Sequence, residues 1–430
     1  MGHLVSEHRA YIDLQARLDK THIGFPEGDG LYDILRLLYT EEEAAVAARM
    51  PVMPMNLAKL SRHLDIPEAK LGTLLERMCD VGTVMDIIHP KSGETIYMLS
   101  PPVVGFFEFS LMKKRQDIDQ PALALAMDAY LKSGAFFDLA RPEMTQIGRT
   151  LVDENALQGP LTTEILPYER ATQVLRDADK IGVSMCYCRH KAEHLDRACD
   201  APSEVCLNIN GGFDYVHRHG YARQIDTEEA LDILARCREL GLVQIADNVQ
   251  KRPIYMCNCC GCCCQQLRAI NRLGVQSAVH TSNFLATIDD ETCRGCGRCA
   301  RRCPVQAIHL EPVPRDGHLK GKMRAVVDDT ICMGCGVCHA ACRQDALSME
   351  ARAQRVLTPS STLDRVVRMA IDRGRLQHLL FDDGKGLPTL IANRALGVLL
   401  DLPPARRALA NEQLRSRFVQ GMMDRFRGKR

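Results

Sequence analysis

The chain has 430 residues, 46% of them hydrophobic, which is enough to form several domains with packed cores. Its 55 basic and 54 acidic residues give a net charge of +1, so the overall charge favours neither nucleic acid nor a membrane surface as a partner. Residues 1–20 lack the apolar core of a signal peptide, and no later stretch stays apolar for about 18 residues, which predicts a cytoplasmic chain without a membrane span.

The chain is rich in cysteine, with 20 residues of this type. In a long chain without a signal peptide, such a content indicates metal ligation in a reducing compartment rather than a disulfide framework. Cys79 and Cys237 stand apart from the others on predicted helices, and we expect them to be buried packing residues. The remaining 18 cysteines fall into two segments, residues 186–264 and 293–342.

The first predicted elements are helices. Apolar residues recur at helical spacing from Leu31 to Arg49, from Asn56 to His63 and from Pro67 to Asp80, with Pro67 in the first helical turn. The pattern then changes to two strands, Thr83–Ile88 and Thr95–Leu99, joined by a turn.

Three helices followed by a two-stranded ribbon resemble a winged helix, here over residues 28–102. Binding of DNA by such a module requires an excess of basic side chains on its third helix. That helix has Lys70 and Arg77 but also three acidic residues, namely Glu68, Glu76 and Asp80. A protein-docking role is therefore predicted, and DNA binding is the minority alternative. The aromatic residues that follow, from Phe106 to Phe137, are expected to pack in the core.

The next region alternates helices and strands and carries the first set of cysteines. A helix is predicted at Tyr168–Lys180, a strand at Ile181–Met185, a helix at Thr227–Leu240 and a strand at Leu242–Ile245. Thiols crowded on one loop would oxidise unless a metal or a cluster holds them as thiolates. The candidate metal ligands are Cys186, Cys188, Cys199, Cys206, Cys257, Cys259, Cys260, Cys262, Cys263 and Cys264.

Three interpretations of these ten cysteines remain open from the sequence. The first is one or two further iron–sulfur clusters, because a relay needs neighbouring centres. The second is structural zinc, for which His190 and His194 are additional candidate ligands. The third leaves some cysteines free as a redox-active dithiol. The spacing does not show which cysteine serves which centre.

The last cysteines form two runs with matched spacing. Cys293 to Cys303 reads Cys-x-x-Cys-x-x-Cys-x-x-x-Cys-Pro, and Cys332 to Cys342 repeats the spacing without the proline. This is the pattern of two four-iron clusters, in which the fourth cysteine of each run ligates the other cluster. The predicted ligand sets are Cys293, Cys296, Cys299 and Cys342 for one cluster, and Cys332, Cys335, Cys338 and Cys303 for the other.

Residues 286–352 resemble the bacterial two-cluster ferredoxins, with Pro304 in the position typical of that family. Two features depart from the family pattern. Arg343 replaces the proline of the second run, and the segment between the runs contains an insertion, Val313–Ala325, which we expect to form a hairpin.

Most of the chain is similar to a group of larger four-iron dicluster proteins that join a Cys-x-Cys-Arg segment and an Asn-Cys-Cys-Gly-Cys-Cys-Cys loop to a ferredoxin module. The resemblance implies electron transfer beside an oxidoreductase and names no substrate. The predicted fold is α+β and multidomain. It comprises a winged-helix-like domain over residues 1–115, a cysteine-rich α/β domain over 116–285, a two-cluster ferredoxin-like domain over 286–352 and a helical C-terminal segment over 353–430.

The C-terminal segment has apolar periodicity and no cysteine. Helices are predicted at Leu390–Leu400 and Ala405–Arg427, after one that begins near Leu363. No dinucleotide-binding fingerprint occurs, so a flavin or nicotinamide would belong to another subunit.

The predicted function is a relay of single electrons between a flavoprotein, or another donor, and a partner reductase. One alternative is an oxidoreductase whose cysteine-rich loop holds a catalytic cluster. A second alternative is an iron–sulfur regulator that couples the state of a cluster to the winged helix.

Overall fold

The structure is a computed structural model that describes residues 2–89, 92–313, 323–381, 387–401, 418, 419 and 421. The α-helices are α1 (Gly2–Asp19), α2 (Leu31–Leu38), α3 (Glu41–Ala47), α4 (Leu57–Leu64), α5 (Glu68–Val81), α6 (Phe107–Phe109), α7 (Gln120–Lys132), α8 (Leu161–Glu164), α9 (Ala171–Arg176), α10 (Tyr187–Glu193), α11 (Gly211–Arg218), α12 (Thr227–Glu239), α13 (Gln265–Leu273), α14 (Arg298–Arg302), α15 (Thr362–Asp372), α16 (Leu376–Phe381) and α17 (Leu387–Asp401). The strands are β1 (Met55–Asn56), β2 (Val84–Ile88), β3 (Thr95–Leu99), β4 (Gly148–Thr150), β5 (Ile181–Met185), β6 (Glu204–Ile209), β7 (Ala222–Ile225), β8 (Val243–Asp247), β9 (Tyr255–Cys259), β10 (Phe284–Ile288), β11 (Ile308–Pro312), β12 (Met323–Val327) and β13 (Leu347–Ala351). Among these described residues, no helix combines the length and the apolar character needed to cross a membrane.

The N-terminal region begins with helices, but the predicted single helix from Leu31 to Arg49 is wrong. The chain forms α2 and α3 instead, because Thr40 starts a new helix with a capping box. The Thr40 hydroxyl accepts a hydrogen bond from the Glu43 N–H, and the Glu43 carboxylate accepts one from the Thr40 N–H. The apolar stripe continues through both helices, and this continuity conceals the break in the sequence.

The helices α4 and α5 precede a small antiparallel sheet with the strand order β1-β3-β2. Gly82 ends α5 in the left-handed conformation, at φ 91°, and a side chain at this position would overlap Phe109. Behind this unit, α7 packs against α2 and completes an aromatic core. Phe106 and Phe107 are fully buried there, as predicted, and make edge-to-face contacts with Phe25.

The middle of the chain forms a six-stranded sheet with the order β4-β8-β9-β6-β5-β7. Every neighbouring pair in this sheet is antiparallel, so the predicted α/β class for this region is wrong and the region is α+β. Strands that alternate with helices in sequence fit either class, and only the pairing directions distinguish them. The predicted helix Tyr168–Lys180 is also shorter in the structure, where α9 spans Ala171–Arg176.

The N-terminal unit and the sheet meet along α11. The Tyr215 hydroxyl donates hydrogen bonds to the carbonyls of Cys79 and Val84, at 2.8 and 3.2 Å. Next to it, the His219 ring contacts Asp80 through Nδ1 at 2.7 Å and Asp86 through Nε2 at 2.9 Å. A ring that donates from both nitrogens is the charged imidazolium, so this contact depends on protonation.

The ferredoxin-like region consists of two antiparallel strand pairs. Strand β10 pairs with β13 along its whole length, and β11 pairs with β12. The sequence insertion lies between and partly within this second pair, and its residues 314–322 lie outside the described residues.

After β13 the chain returns to the six-stranded sheet through α15. Arg365 of this helix forms an ion pair of 2.9 Å with Asp247 of β8, and both side chains are buried. Helix α17 overlaps the predicted Leu390–Leu400 helix. The predicted Ala405–Arg427 helix lies outside the described residues, apart from positions 418, 419 and 421.

Truncation of the aromatic core should destabilise the N-terminal unit. Phe106 is fully buried, with its ring centroid 5.2 Å from that of Phe107, so Phe106→Ala should lower the free energy of unfolding by about 3–5 kcal/mol. Urea denaturation followed by circular dichroism measures this loss. The matched control is Leu125→Ala on α7, whose side chain is 62% exposed. Equal losses in the two variants would contradict the packing described here.

The contact at His219 should make stability depend on pH. Burial opposes the charged ring, but its hydrogen bonds to Asp86 and Asp80 outweigh this effect and raise the pKa of His219 above 6.5. The stabilisation is therefore complete below pH 6.5 and is lost as the pH rises through the folded-state value. The melting temperature of the wild type should fall by a few degrees between about pH 6 and about pH 9, and His219→Gln should abolish this fall.

The matched control for this experiment is His309→Gln, which removes an exposed pair with Glu311 and should leave the pH profile unchanged. A wild-type profile that His219→Gln does not flatten would disprove the role of the imidazolium.

Candidate metal centres

The two cysteine runs of the ferredoxin-like region enclose two cavities. Three cysteines of the first run line one cavity together with Cys342 from the second run. Three cysteines of the second run line the other cavity together with Cys303 from the first run. The fold thus brings together the members of each predicted quartet, which are Cys293, Cys296, Cys299 and Cys342 around the first cavity, and Cys303, Cys332, Cys335 and Cys338 around the second.

Glycines make room for these cavities. Gly295 and Gly334 adopt left-handed backbone conformations, with φ of 60° and 69°. A side chain at Gly295 would overlap the Met323 carbonyl, and one at Gly334 would overlap the Phe284 carbonyl. Each loop is therefore pressed against the backbone of a neighbouring strand, and this positions the cysteines around it.

The two cavities differ in their access to solvent. Cys296 of the first quartet is exposed, whereas Cys332 and Cys338 of the second are 8% and 6% exposed. The second quartet is also tied to other parts of the chain, because the Asp153 N–H donates a 2.9 Å hydrogen bond to the Cys335 carbonyl. Burial raises the pKa of Cys335, so this thiol needs a nearby positive charge, such as a metal, to ionise.

Strand alternation divides the crowded loop between Cys257 and Cys264. Cys257 and Cys259 lie two residues apart on β9 and therefore share one face of the sheet. The chain then leaves the strand and turns at residues 261–263, before Cys264 starts α13 as its N-cap. Neighbouring cysteines consequently face different surroundings. Four of the ten cysteines form one compact group, and the other six line a cavity that two members of that group, Cys260 and Cys263, also line.

The four-thiol site consists of Cys199, Cys260, Cys262 and Cys263, whose sulfur atoms all lie within 4.8 Å of one another. Three of the separations are 3.6 Å for Cys199–Cys260, 3.7 Å for Cys199–Cys263 and 3.8 Å for Cys262–Cys263. Four sulfurs at about 2.3 Å from one tetrahedral ion would be about 3.8 Å apart. The spacing therefore fits a single ion.

The six remaining cysteines form a second group, the six-thiol group. Its thiols contact each other in a continuous chain that starts at the N-terminus of α10, passes the N-cap of α13 and ends on β6. All six line one cavity of about 130 Å³. In order of contact they are Cys186, Cys188, Cys264, Cys259, Cys257 and Cys206.

Hydrogen bonds make part of the six-thiol group acidic. Contact with the Cys206 and Cys259 thiols lowers the pKa of Cys257, and contact with the Cys188 and Cys259 thiols lowers that of Cys264. The Leu267 N–H at the start of α13 also contacts the Cys264 sulfur. Thiolates stabilised in this way are the species that bind metals.

Buried cations surround the six-thiol group. Arg189 and Lys191 on α10 are 2% and 0% exposed, and Arg268 on α13 is 6% exposed. Asp128 is the carboxylate that pairs with two of them, at 3.2 Å from Lys191 and 3.5 Å from Arg268. One carboxylate does not balance these charges, so the thiolates of the neighbouring cysteines are needed to compensate them.

The Arg189 guanidinium lies between the two groups of cysteines. It donates hydrogen bonds of 3.0 and 2.9 Å to the carbonyls of Pro202 and Asn258, which fix its position. Burial disfavours its charged form, but the thiolates of Cys186, Cys260 and Cys259 outweigh this effect and raise the pKa of Arg189. The sequence contains this arginine within the Cys-x-Cys-Arg segment, yet it was not predicted as a site residue.

A carboxylic acid also lines the cavity. Glu108 accepts a hydrogen bond of 3.1 Å from the Gly105 N–H, and burial raises its pKa to about 8. The preceding loop holds Val104 in a left-handed conformation, at φ 53°, which is strained for a β-branched residue. No motif marks Glu108 in the sequence, because its relation to the cysteines arises only from tertiary contacts.

The histidines suggested as zinc ligands do not belong to the four-thiol site. His190 is buried, and its Nδ1 contacts the Leu111 carbonyl at 2.8 Å. The His194 ring packs against it at 4.6 Å between centroids. Within the described part of the chain, the only close group of three or more potential ligands is the four-thiol site, which contains no histidine.

Residues 292–346 match the family of 4Fe-4S dicluster domains. No curated protein and no solved structure matches the chain significantly. The chain thus contains an iron–sulfur domain that carries two [4Fe–4S] clusters, and electron transfer is the function that such a domain implies. The two cysteine-lined cavities and the close approach of backbone at their glycines fit these clusters.

Closing the space at Gly334 should remove one cluster. Gly334→Ala adds a methyl group that overlaps the Phe284 carbonyl, so the iron content should fall by about four atoms per chain, with sulfide in parallel. Iron and sulfide analysis of anaerobically purified protein measures this change. Gly220→Ala is the matched control, because Gly220 has a similar φ of 66° and open space around it. Unchanged iron in Gly334→Ala would contradict the predicted crowding.

Proposed function

We propose that this protein relays single electrons from a flavoprotein to a partner oxidoreductase. Electrons enter at the first quartet, which consists of Cys293, Cys296, Cys299 and Cys342. They then pass to the second quartet, which consists of Cys303, Cys332, Cys335 and Cys338. These quartets are the proposed ligands of the two clusters. When bound, each cluster accepts and releases one electron at a time.

The observation that carries this proposal is the difference in exposure between the quartets. Cys296 lies at the surface, where a donor can approach, whereas Cys332 and Cys338 are buried. Electron transfer between proteins requires one centre near the surface and a protected path away from it. This asymmetry supports a direction from the first quartet to the second.

A tight contact continues the path toward the cysteine-rich region. Gly261, between two cysteines of the four-thiol site, packs against Pro304, the residue that follows Cys303. A side chain at Gly261 would overlap the Pro304 carbonyl. The Asn271 amide holds the two loops together, with hydrogen bonds of 3.4 Å to the Gly261 carbonyl and 2.9 Å to that of Pro304.

Charge near the first quartet favours an acidic donor. Arg294, Arg298 and Arg301, here called the basic rim, lie in and after the first cysteine loop. Arg294 and Arg301 are exposed, and the Arg301 guanidinium reaches the Cys296 carbonyl at 3.5 Å. Such a surface attracts an acidic protein and accelerates the encounter at low ionic strength.

The N-terminal unit is proposed to be a winged-helix-like domain that docks proteins. Both basic side chains of α5 are paired with acidic residues of α3, Lys70 with Glu42 at 2.6 Å and Arg77 with Glu43. The pairs leave little free positive charge on this helix for DNA phosphates. The contacts of α11 with this unit support a scaffolding role.

Charge reversal in the basic rim tests the proposed relay. The double variant Arg294→Glu/Arg301→Glu should be reduced about tenfold more slowly by flavodoxin hydroquinone, used as a small acidic flavoprotein, in anaerobic stopped-flow experiments at low salt. The salt dependence of the rate should decrease as well. Arg9→Glu on α1, where the side chain is 74% exposed, is the control.

Retention of the wild-type rate by the rim variant would exclude this surface as the entry point. Failure of flavodoxin to reduce the wild type, when dithionite reduces it, would overturn the role of a flavoprotein donor.

A further inference from the structure

We propose that the ten cysteines of residues 186–264 form two metal centres of different kinds. The four-thiol site binds one tetrahedral ion, zinc or iron. The six-thiol group binds a polynuclear iron–sulfur cluster inside the cavity that it lines. These centres are additional to the two clusters of the proposed relay.

The spacing of the sulfur atoms separates the two kinds of centre. In the four-thiol site all sulfurs lie within 4.8 Å, which fits ligands of one ion. Thiolates on different iron atoms of a cluster do not all converge on one point, so neighbouring thiols can be in contact while the set as a whole is spread out. Among the described residues, neither dicluster quartet shows the close spacing of the four-thiol site, and neither does the six-thiol group. The six-thiol group therefore resembles the cluster-binding quartets in this respect.

The shape of the cavity also indicates a cluster rather than a single ion in the six-thiol group. The six cysteines come from α10, β6, β9 and the start of α13, and they surround a cavity of about 130 Å³. Cys186, Cys206 and Cys257 retain accessible surface although protein encloses them, and this surface faces the cavity. A single ion would not reach all of these thiols, whereas a polynuclear cluster spans such a space.

Charge provides an independent argument. A cluster with several thiolate ligands is an anion, and a buried anion needs buried cations. Arg189, beside Cys186 and Cys259, and Lys191, beside Cys188, supply these charges next to the six-thiol group. Asp128 is shared between Lys191 and Arg268, so it does not balance both arginines and the lysine. An anionic cluster in the cavity would balance this buried positive charge.

The two centres share the loop from Cys257 to Cys264, yet they have separate ligands. Cys262 belongs to the four-thiol site and is exposed, so Cys262→Ser should remove the single ion with little damage to the fold. Cys206 belongs to the six-thiol group and lies on β6. Cys206→Ser should alter the cluster and leave the single ion in place.

The test is metal and sulfide analysis of the full chain, purified without oxygen. The dicluster domain accounts for about eight iron and about eight sulfide atoms, and the wild type should contain more of both. Cys262→Ser should lose about one zinc or one iron atom with no change in sulfide. Cys206→Ser should lose several iron atoms together with sulfide. Cys79→Ser, a buried cysteine outside both groups, is the matched control and should lose neither.

X-ray absorption of the wild type gives a second measurement that does not depend on folding of the variants. A zinc edge with four sulfur neighbours at about 2.3 Å and no metal neighbour identifies zinc in the four-thiol site. If zinc is absent, an iron signal with four sulfur ligands and no second iron, lost in Cys262→Ser, identifies iron.

Loss of the same metal in the same proportion from both variants would show a single shared centre and overturn the proposal. So would a wild type with only about eight iron atoms, eight sulfides and no zinc. Reduction by flavodoxin reports separately on the relay, so failure of one proposal does not entail failure of the other.

Discussion

The structure depends on one electrostatic constraint, which is that buried thiolates must lie beside positive charge. A thiol in the protein interior favours its neutral form, and only a metal, a cation or a hydrogen-bond donor makes the thiolate stable. Burial raises the pKa of Cys335 and Cys338 in the ferredoxin-like region, where metal supplies the charge. In the cysteine-rich region the protein itself contributes Arg189, Lys191 and Arg268.

This constraint explains how the separate parts of the chain are joined. The helices α10 and α13 both begin at cysteines, and both carry the cations that balance them. Asp128 on α7 binds these cations from the N-terminal aromatic core, so the core is connected to the cysteine sites through ion pairs. On the other side, Gly261 and Pro304 bring the cysteine-rich loop against the ferredoxin-like region.

The alternatives for the function now differ in their support. The matched dicluster domain implies electron transfer. A regulator that binds DNA through α5 receives little support, because Lys70 and Arg77 are held in ion pairs. An enzymatic role of the cysteine-rich loop is supported by the cavity that Glu108 lines, although we propose that this cavity holds a cluster.

The sequence alone determined the features that depend on local spacing. The two cysteine runs of residues 293–342 specified an iron–sulfur domain, since three ligands of each cluster come from one short loop. Helix α12 and strand β5 were also predictable to within a residue, because their apolar periodicity is regular and Asp226 caps the helix. The break at Thr40 had a local signal as well, but the continuous apolar stripe concealed it.

Only the tertiary structure decided how the other ten cysteines are shared. Their grouping depends on which face of β9 each one occupies, on the strand β6 beside it and on Cys199 from a distant loop. The same holds for Glu108 and Asp128, whose positions in the sequence carry no motif for their role. Spacing along the chain cannot encode such contacts, because they arise when segments far apart in sequence pack around a common interior.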